Sequence, residues 1–227
     1  MRWRLSLALT ASLLVGSQFG GDSLAIYTNA RTLTANAFSA GAWALYLHNN
    51  PTPPVGNTTA QFALTLTTTS STQATLRNFD TDCDGVAGRV LVRGTALVTE
   101  ATTCRYVNWR TGTYAAARPL DGTLTLRIWC RKTGSGGTNP TLTAYLRDYD
   151  PVSTTYATLG TTSGAVTTNS GAAFAQLVLT WALSTSVPAG HQLELKLAAS
   201  GGTRDVNLAY DTTTDLSRLV LLQQPAS

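Results

Sequence analysis

Between Val187 and Leu197 the chain reads VPAGHQLELKL, and Leu193, Leu195 and Leu197 alternate strictly with Gln192, Glu194 and Lys196. A period of two sends successive side chains to opposite faces of an extended backbone. The stretch therefore predicts a strand with its leucines in a core and Glu194 and Lys196 facing water. Pro188-Ala189-Gly190 supplies the turn ahead of it, and His191 caps the start of the strand.

The same alternation recurs along the chain. Phe62, Leu64 and Leu66 alternate with Ala63, Thr65 and Thr67; Leu124, Leu126, Ile128 and Cys130 with Thr123, Thr125, Arg127 and Trp129; Leu142, Ala144 and Leu146 with Thr143, Tyr145 and Arg147. Further strands are predicted at Ala42 to Leu47, Ala74 to Phe79, Arg89 to Arg93, Tyr106 to Arg110, Ala175 to Leu183, Val206 to Tyr210 and Leu219 to Leu222. The glycine-rich Gly134 to Asn139 predicts a hairpin between two of them. No run of twelve residues carries a helical stripe, and many short strands with frequent turns point to an all-β sandwich or jelly roll.

The N-terminus predicts export. Arg2 and Arg4 precede the apolar run Leu5 to Val15, which is too short to span a bilayer, and Ser23-Leu24-Ala25 is a small-x-small cleavage site. Residues 1–25 are thus expected as a signal peptide, 26–41 as an extended N-terminal segment and 42–227 as one β-sandwich domain. Processing would remove two positive charges and one negative from a net +4. With no Lys/Arg cluster the chain is a poor partner for nucleic acid, and no second long apolar run predicts a membrane span. Charged residues are 12% of the chain, about half the usual share, so the surface is one of hydroxyls and amides. An exported chain permits a disulfide. Cys83 and Cys104 flank polar loop sequence and make the candidate pair, while Cys130 shares the face of Leu124 and Leu126 and reads as a buried free thiol.

Two stretches resemble known families. Tyr27, Thr28, Asn29 and Ala30, then Thr32, Asn36, Phe38 and Gly41, resemble the start of mature proteins of the TasA/camelysin group of exported bacterial proteins. That resemblance implies a jelly roll and assembly into fibres by donation of an N-terminal strand. The donor residues would include Ile26, Tyr27, Thr28, Ala30 and Leu33. A free β-prone segment can complete a neighbour's sheet edge, or equally fold back as the first strand of its own sheet. Further on, Leu124-x-Leu126-x-Ile128-Trp129, Leu142-x-Ala144-x-Leu146-x-Asp148-x-Asp150-Pro151 and Pro188-Ala189-Gly190-His191-x-Leu193-x-Leu195 form a second series. It resembles the C-terminal β-sandwich of X-prolyl dipeptidyl peptidases and cocaine-esterase-like hydrolases. This implies a galactose-binding-like jelly roll without the hydrolase domain that carries those enzymes' catalysis.

Candidate sites are few. Asp80, Asp82 and Asp84 in D-x-D-x-D-G put carboxylates on alternate loop positions, a pattern that converges hard oxygens on calcium. The twelfth position is Leu91 and not Glu, so a solvated acidic turn is the competing reading. Trp129 and Tyr145 lie opposite their strands' apolar faces, flanked by Arg127 and Arg147. On neighbouring strands they would form a platform for a sugar ring or another protomer, or else a second aromatic core layer. The two histidines, His48 and His191, sit in unlike contexts without partner spacing, and no HExxH or G-x-S-x-G occurs. No enzyme is predicted, and a camelysin-like metallopeptidase finds no zinc motif. The expected function is a secreted, cell-surface structural subunit that polymerises with itself into a filament or biofilm matrix. The alternative is a carbohydrate-binding or adhesive module directed at surface or matrix polysaccharide, with calcium as the one candidate cofactor.

Overall fold

In the computed structural model, which describes residues 42–48, 61–68, 91–94, 106–212 and 214–223, the chain is all-β, and no helix occurs among the described residues. Among the described residues ten strands follow one another: β1 (Ala42–Leu47), β2 (Gln61–Thr65), β3 (Tyr106–Arg110), β4 (Arg118–Lys132), β5 (Thr141–Asp150), β6 (Thr155–Ala165), β7 (Ala175–Val187), β8 (Gln192–Ser200), β9 (Val206–Ala209) and β10 (Arg218–Gln223). They form a single curled sheet in the order β6-β5-β8-β3-β2-β1-β10-β4-β7, with β9 beside β4. β1–β2, β3–β8, β4–β7, β4–β9, β5–β6 and β5–β8 pair antiparallel, whereas β2 and β3 pair in a parallel register that sets Phe62 against Trp109.

The curl brings two halves face to face. From β5, β8 and β3 come Leu142, Leu146, Leu193, Leu195, Leu197, Val107 and Trp109; from β4, β7 and β10 come Leu124, Leu126, Ile128, Leu179, Trp181 and Leu219. All belong to one buried cluster. Phe62, Trp109 and Tyr210 meet edge-on or tilted within it, with ring centroids 5.1 to 6.2 Å apart. Cys130 is a buried free thiol among them. The residues Trp43–Leu221 make one compact unit.

Strand β8 is the predicted alternating stretch, and its leucine face is fully buried. The turn before it depends on Gly190, whose φ of 85° lies in the left-handed region that a side chain disfavours. The predicted hairpin at Gly134 to Asn139 is not one. β4 pairs with β7 and β9, whereas β5 pairs with β6 and β8, so this loop carries the chain from one half of the sheet to the other. It is pinned by Thr138 N donating to Thr203 Oγ1 at 3.0 Å and Arg204 Nε donating to the Gly136 carbonyl at 3.1 Å. Strand β6 was not predicted. Residues Thr155–Ala165 are mostly exposed and carry no apolar alternation.

The two end strands close on each other through glycine. A Cβ at Gly160 would stand 2.6 Å from Trp181 Cδ1, and one at Gly164 would stand 2.9 Å from Leu179 Cδ2. The bare backbone of β6 is what lets these β7 side chains lie against it. Of the other predicted elements, Leu91 and Gly94 make isolated bridges to Val206 and Ser200, while Ala74 to Phe79 lies outside the described residues.

Candidate functional site

The polar face of β8 does not face water. Glu194 is 0% exposed and Lys196 2%, which corrects the expectation drawn from their alternation with leucine. The register explains the arrangement. Arg147 of β5, Glu194 of β8 and Arg110 of β3 stand in one cross-strand row, with Tyr145, Lys196 and Asn108 in the next. Glu194 accepts hydrogen bonds from Arg147, from Arg110 and, at 3.0 Å, from Asn108 Nδ2. Aromatic rings complete the cluster. The Arg110 guanidinium lies 3.6 Å from the Tyr149 ring centroid and donates to Tyr156 Oη at 2.6 Å, and that of Arg147 lies 4.1 Å over Tyr156. Lys196 Nζ sits 4.1 Å over Tyr106, and burial, then the neighbouring Arg147 charge, pushes its pKa down to about 8. A carboxylate removed from water is tolerated when it is paired and hydrogen-bonded on both oxygens, as Glu194 is.

A cleft of about 480 Å³ opens beside β1 and β2 and the loop that joins β3 to β4. Trp43, Leu64, Leu66, Tyr114 and Arg118 line it together with Thr65 and Thr111. The Arg118 guanidinium lies 4.9 Å from the Trp43 ring, and Trp43 Nε1 is buried without a hydrogen-bond partner. Tyr114 is held by its backbone, its amide donating to the His191 carbonyl and its carbonyl accepting from Gly190. Burial raises its phenol pKa. The lining thus combines aromatic and aliphatic walls with a few polar groups, the usual make-up of a small-ligand site.

Each histidine has a carboxylate partner that sequence spacing did not reveal. His191 Nδ1 lies 2.9 Å from Asp148 Oδ1. His48 Nδ1 lies 3.3 Å from Asp211 Oδ1, and its Nε2 lies 2.9 Å from Thr65 Oγ1 and 3.1 Å from the Thr67 carbonyl. The His48 carbonyl accepts from Trp109 Nε1 at 3.1 Å, which anchors the residue to the core.

The predicted site residues are dispersed. Trp129 on β4 and Tyr145 on β5 belong to strands far apart in the sheet order, so the two do not form one platform. Tyr145 instead faces Lys196, while Trp129 stands opposite Gln176 and Ala209 in the β4 ladders. Asp80, Asp82, Asp84, Cys83, Cys104 and the proposed donor residues Ile26, Tyr27, Thr28, Ala30 and Leu33 lie outside the described residues. Among the described residues no helix is long and apolar enough to cross a membrane, and no group of three His, Cys, Asp or Glu side chains is placed to hold a metal ion.

Comparison with solved structures finds the same fold in several hydrolases. An aminopeptidase from the marine sediment archaeon Thaumarchaeota archaeon aligns over 80% of this chain and 36% of its own, with 9% identity and a TM-score of 0.52. An α-amino acid ester hydrolase aligns over 84% and 38%, with 11% identity and a TM-score of 0.53. A CocE/NonD family hydrolase from Staphylococcus aureus aligns over 83% and 37%, with 11% identity and a TM-score of 0.50. This chain spans little more than a third of the length of these proteins. At such identities the likeness shows the fold, and it fits the resemblance to the C-terminal β-sandwich of X-prolyl dipeptidyl peptidases. No family model and no curated protein matches the sequence. Nothing in the comparisons supports the TasA-like reading of the N-terminus.

Proposed function

We propose that this chain is a glycan-binding β-sandwich module whose ligand occupies the Trp43–Tyr114 cleft. The observation that carries the reading is the meeting, in one concave site, of the Trp43 ring under the Arg118 guanidinium with Tyr114 and the hydroxyls of Thr65 and Thr111. A pyranose ring offers an apolar face of C–H groups and a rim of hydroxyls. Aromatic rings stack on the first, and N–H donors with Thr hydroxyls bind the second. A cleft of about 480 Å³ suits one or two sugar rings. The fold agrees with a binding module, since it matches little more than a third of enzymes about twice this chain's length.

Isothermal calorimetry against a panel of neutral and acidic oligosaccharides tests this. A ligand should bind, and Trp43→Ala and Arg118→Ala should each weaken it by about tenfold or more, the loss of one stacking or charge-assisted contact. Binding that survives both substitutions, or no binding at millimolar sugar, overturns the proposal. Export of the module, with residues 1–25 removed, and calcium at Asp80, Asp82 and Asp84 belong to the same proposal and rest on sequence pattern. Filament assembly by strand donation from Ile26 to Leu33 draws no support from the described residues.

A further inference from the structure

One wall of the cleft carries chemistry beyond sugar binding. Thr65 lines the cleft, and its Oγ1 lies 2.9 Å from His48 Nε2, while His48 Nδ1 lies 3.3 Å from Asp211 Oδ1. We propose that Thr65, His48 and Asp211 form a hydroxyl–imidazole–carboxylate relay that hydrolyses carboxylic esters of short acyl groups held in this cleft. The proposal rests on the cleft but not on a glycan being its occupant.

The three residues come from the end of β1, the end of β2 and the turn after β9, and each is held from behind. His48 donates its amide to the Ala63 carbonyl at 2.9 Å and accepts from Trp109 at its own carbonyl. Asp211 is buried and sits at φ 52°, in the left-handed region that Asp tolerates better than most side chains. Thr65 Oγ1 is set by contacts to the Thr67 amide and hydroxyl. With the imidazole proton on Nδ1, shared with Asp211, Nε2 is left to accept the Thr65 proton. This is the geometry that defines such relays independently of fold or chain order.

The reaction balances with water as the second substrate. Thr65 Oγ1 attacks the acyl carbon while its proton passes to His48 Nε2. The Thr67 carbonyl, 3.1 Å away, then accepts the N–H of the imidazolium. The adduct collapses with cleavage of the bond from the acyl carbon to the alcohol oxygen, and the Nε2 proton leaves with that alcohol. Water attacks the threonyl ester, giving a proton to Nε2, and collapse returns that proton to Thr65 Oγ1 with release of the acid. Thr65 and His48 are the catalytic residues and Asp211 a positioning residue. Gly112, Ala115 and Ala116 line the same cleft outside the sheet ladders.

The full chain is assayed with p-nitrophenyl acetate. Saturable hydrolysis should fall by at least about a hundredfold in kcat in Thr65→Val, survive in Thr65→Ser, and in Asp211→Asn show lower kcat at unchanged KM. Peptide mapping of wild-type protein quenched in acid should find an acetyl group on Thr65, a readout that requires no variant to fold. Wild-type hydrolysis no faster than buffer, a folded Thr65→Val at the wild-type rate, or acetyl found only on other residues overturns the relay. Sugar binding is measured by calorimetry on the same protein, so loss of either reading leaves the other standing.

Discussion

Glu194 stands directly opposite Arg147 in the β8–β5 register, and its Oε1 accepts the Arg147 Nε at 2.8 Å with both side chains out of solvent. Glu194 is the shared acceptor of Arg147, Arg110 and Asn108, so removing it leaves two guanidinium groups facing each other in a buried site. Glu194→Ala should therefore cost about 3–5 kcal/mol, the scale for breaking a buried ion pair on one side. Urea denaturation at neutral pH measures it, and a loss below about 1 kcal/mol would show that the cluster is solvated in the native protein.

Lys196 makes stability depend on pH in an uncommon direction. Burial and Arg147 hold its folded pKa at about 8, below the 10.5 of a free lysine. Between these values the unfolded chain binds the proton and the folded chain does not, so stability should rise with pH from about 8 upward. Below about 8 the cost of the buried charge is present in full. Cys130, whose thiol burial raises to about 12, opposes the trend as pH passes about 9, and Tyr114, Tyr145 and Tyr156, also raised by burial, do so only past the ordinary phenol range near 10. Between pH 7.5 and 9.5 the chemical midpoint should rise more in wild type than in Lys196→Met, where only the opposing Cys130 contribution remains. The same change of midpoint in both proteins would refute the buried charge.

How far the sequence speaks depends on how local each feature is. The leucine face of β8 is readable because alternation is a property of consecutive residues, and its burial follows at once. What covers Glu194 and Lys196 is decided by β3 and β5, eighty-four and forty-seven residues away from Glu194 in the case of Arg110 and Arg147. Alternation shows which face is apolar and is silent about the other. Trp129 and Tyr145 fail as a pair for the same reason: each is placed on the polar side of its own strand, but strand order separates the strands. His48 appears isolated in its loop because its carboxylate partner is 163 residues on. β6 is invisible because a Thr-, Ser- and Gly-rich strand against β7 needs little apolar signal of its own. The cleft joins residues from Trp43 to Arg118, which only the folding of β1, β2 and the loop before β4 brings together.

The Cys130 thiol should be inert in the native protein. Burial raises its pKa to about 12, so almost no thiolate exists near neutral pH, and the thiolate is the reactive form. Treatment with iodoacetamide at pH 8, followed by peptide mapping, should leave Cys130 unmodified in folded protein and modified in urea. Modification at similar rates in both would place the thiol at the surface.

The closure of the sheet rests on the missing side chains of β6. At Gly160 a methyl group would meet Trp181 Cδ1 at 2.6 Å, far inside van der Waals contact, and the indole cannot withdraw easily because Trp181 is itself 95% buried in the core. Gly164 is the milder case, since the Leu179 and Leu177 methyl groups at 2.9 and 3.0 Å belong to more mobile side chains. Gly160→Ala should thus destabilise by about 1–3 kcal/mol, the cost of overpacking, and Gly164→Ala by less. Ordinary β-propensity argues the opposite, because alanine in a strand costs less backbone entropy than glycine. Thermal melting of the two variants decides between the effects: a Gly160→Ala protein as stable as wild type would mean that β6 and β7 do not pack against each other as the structure has them.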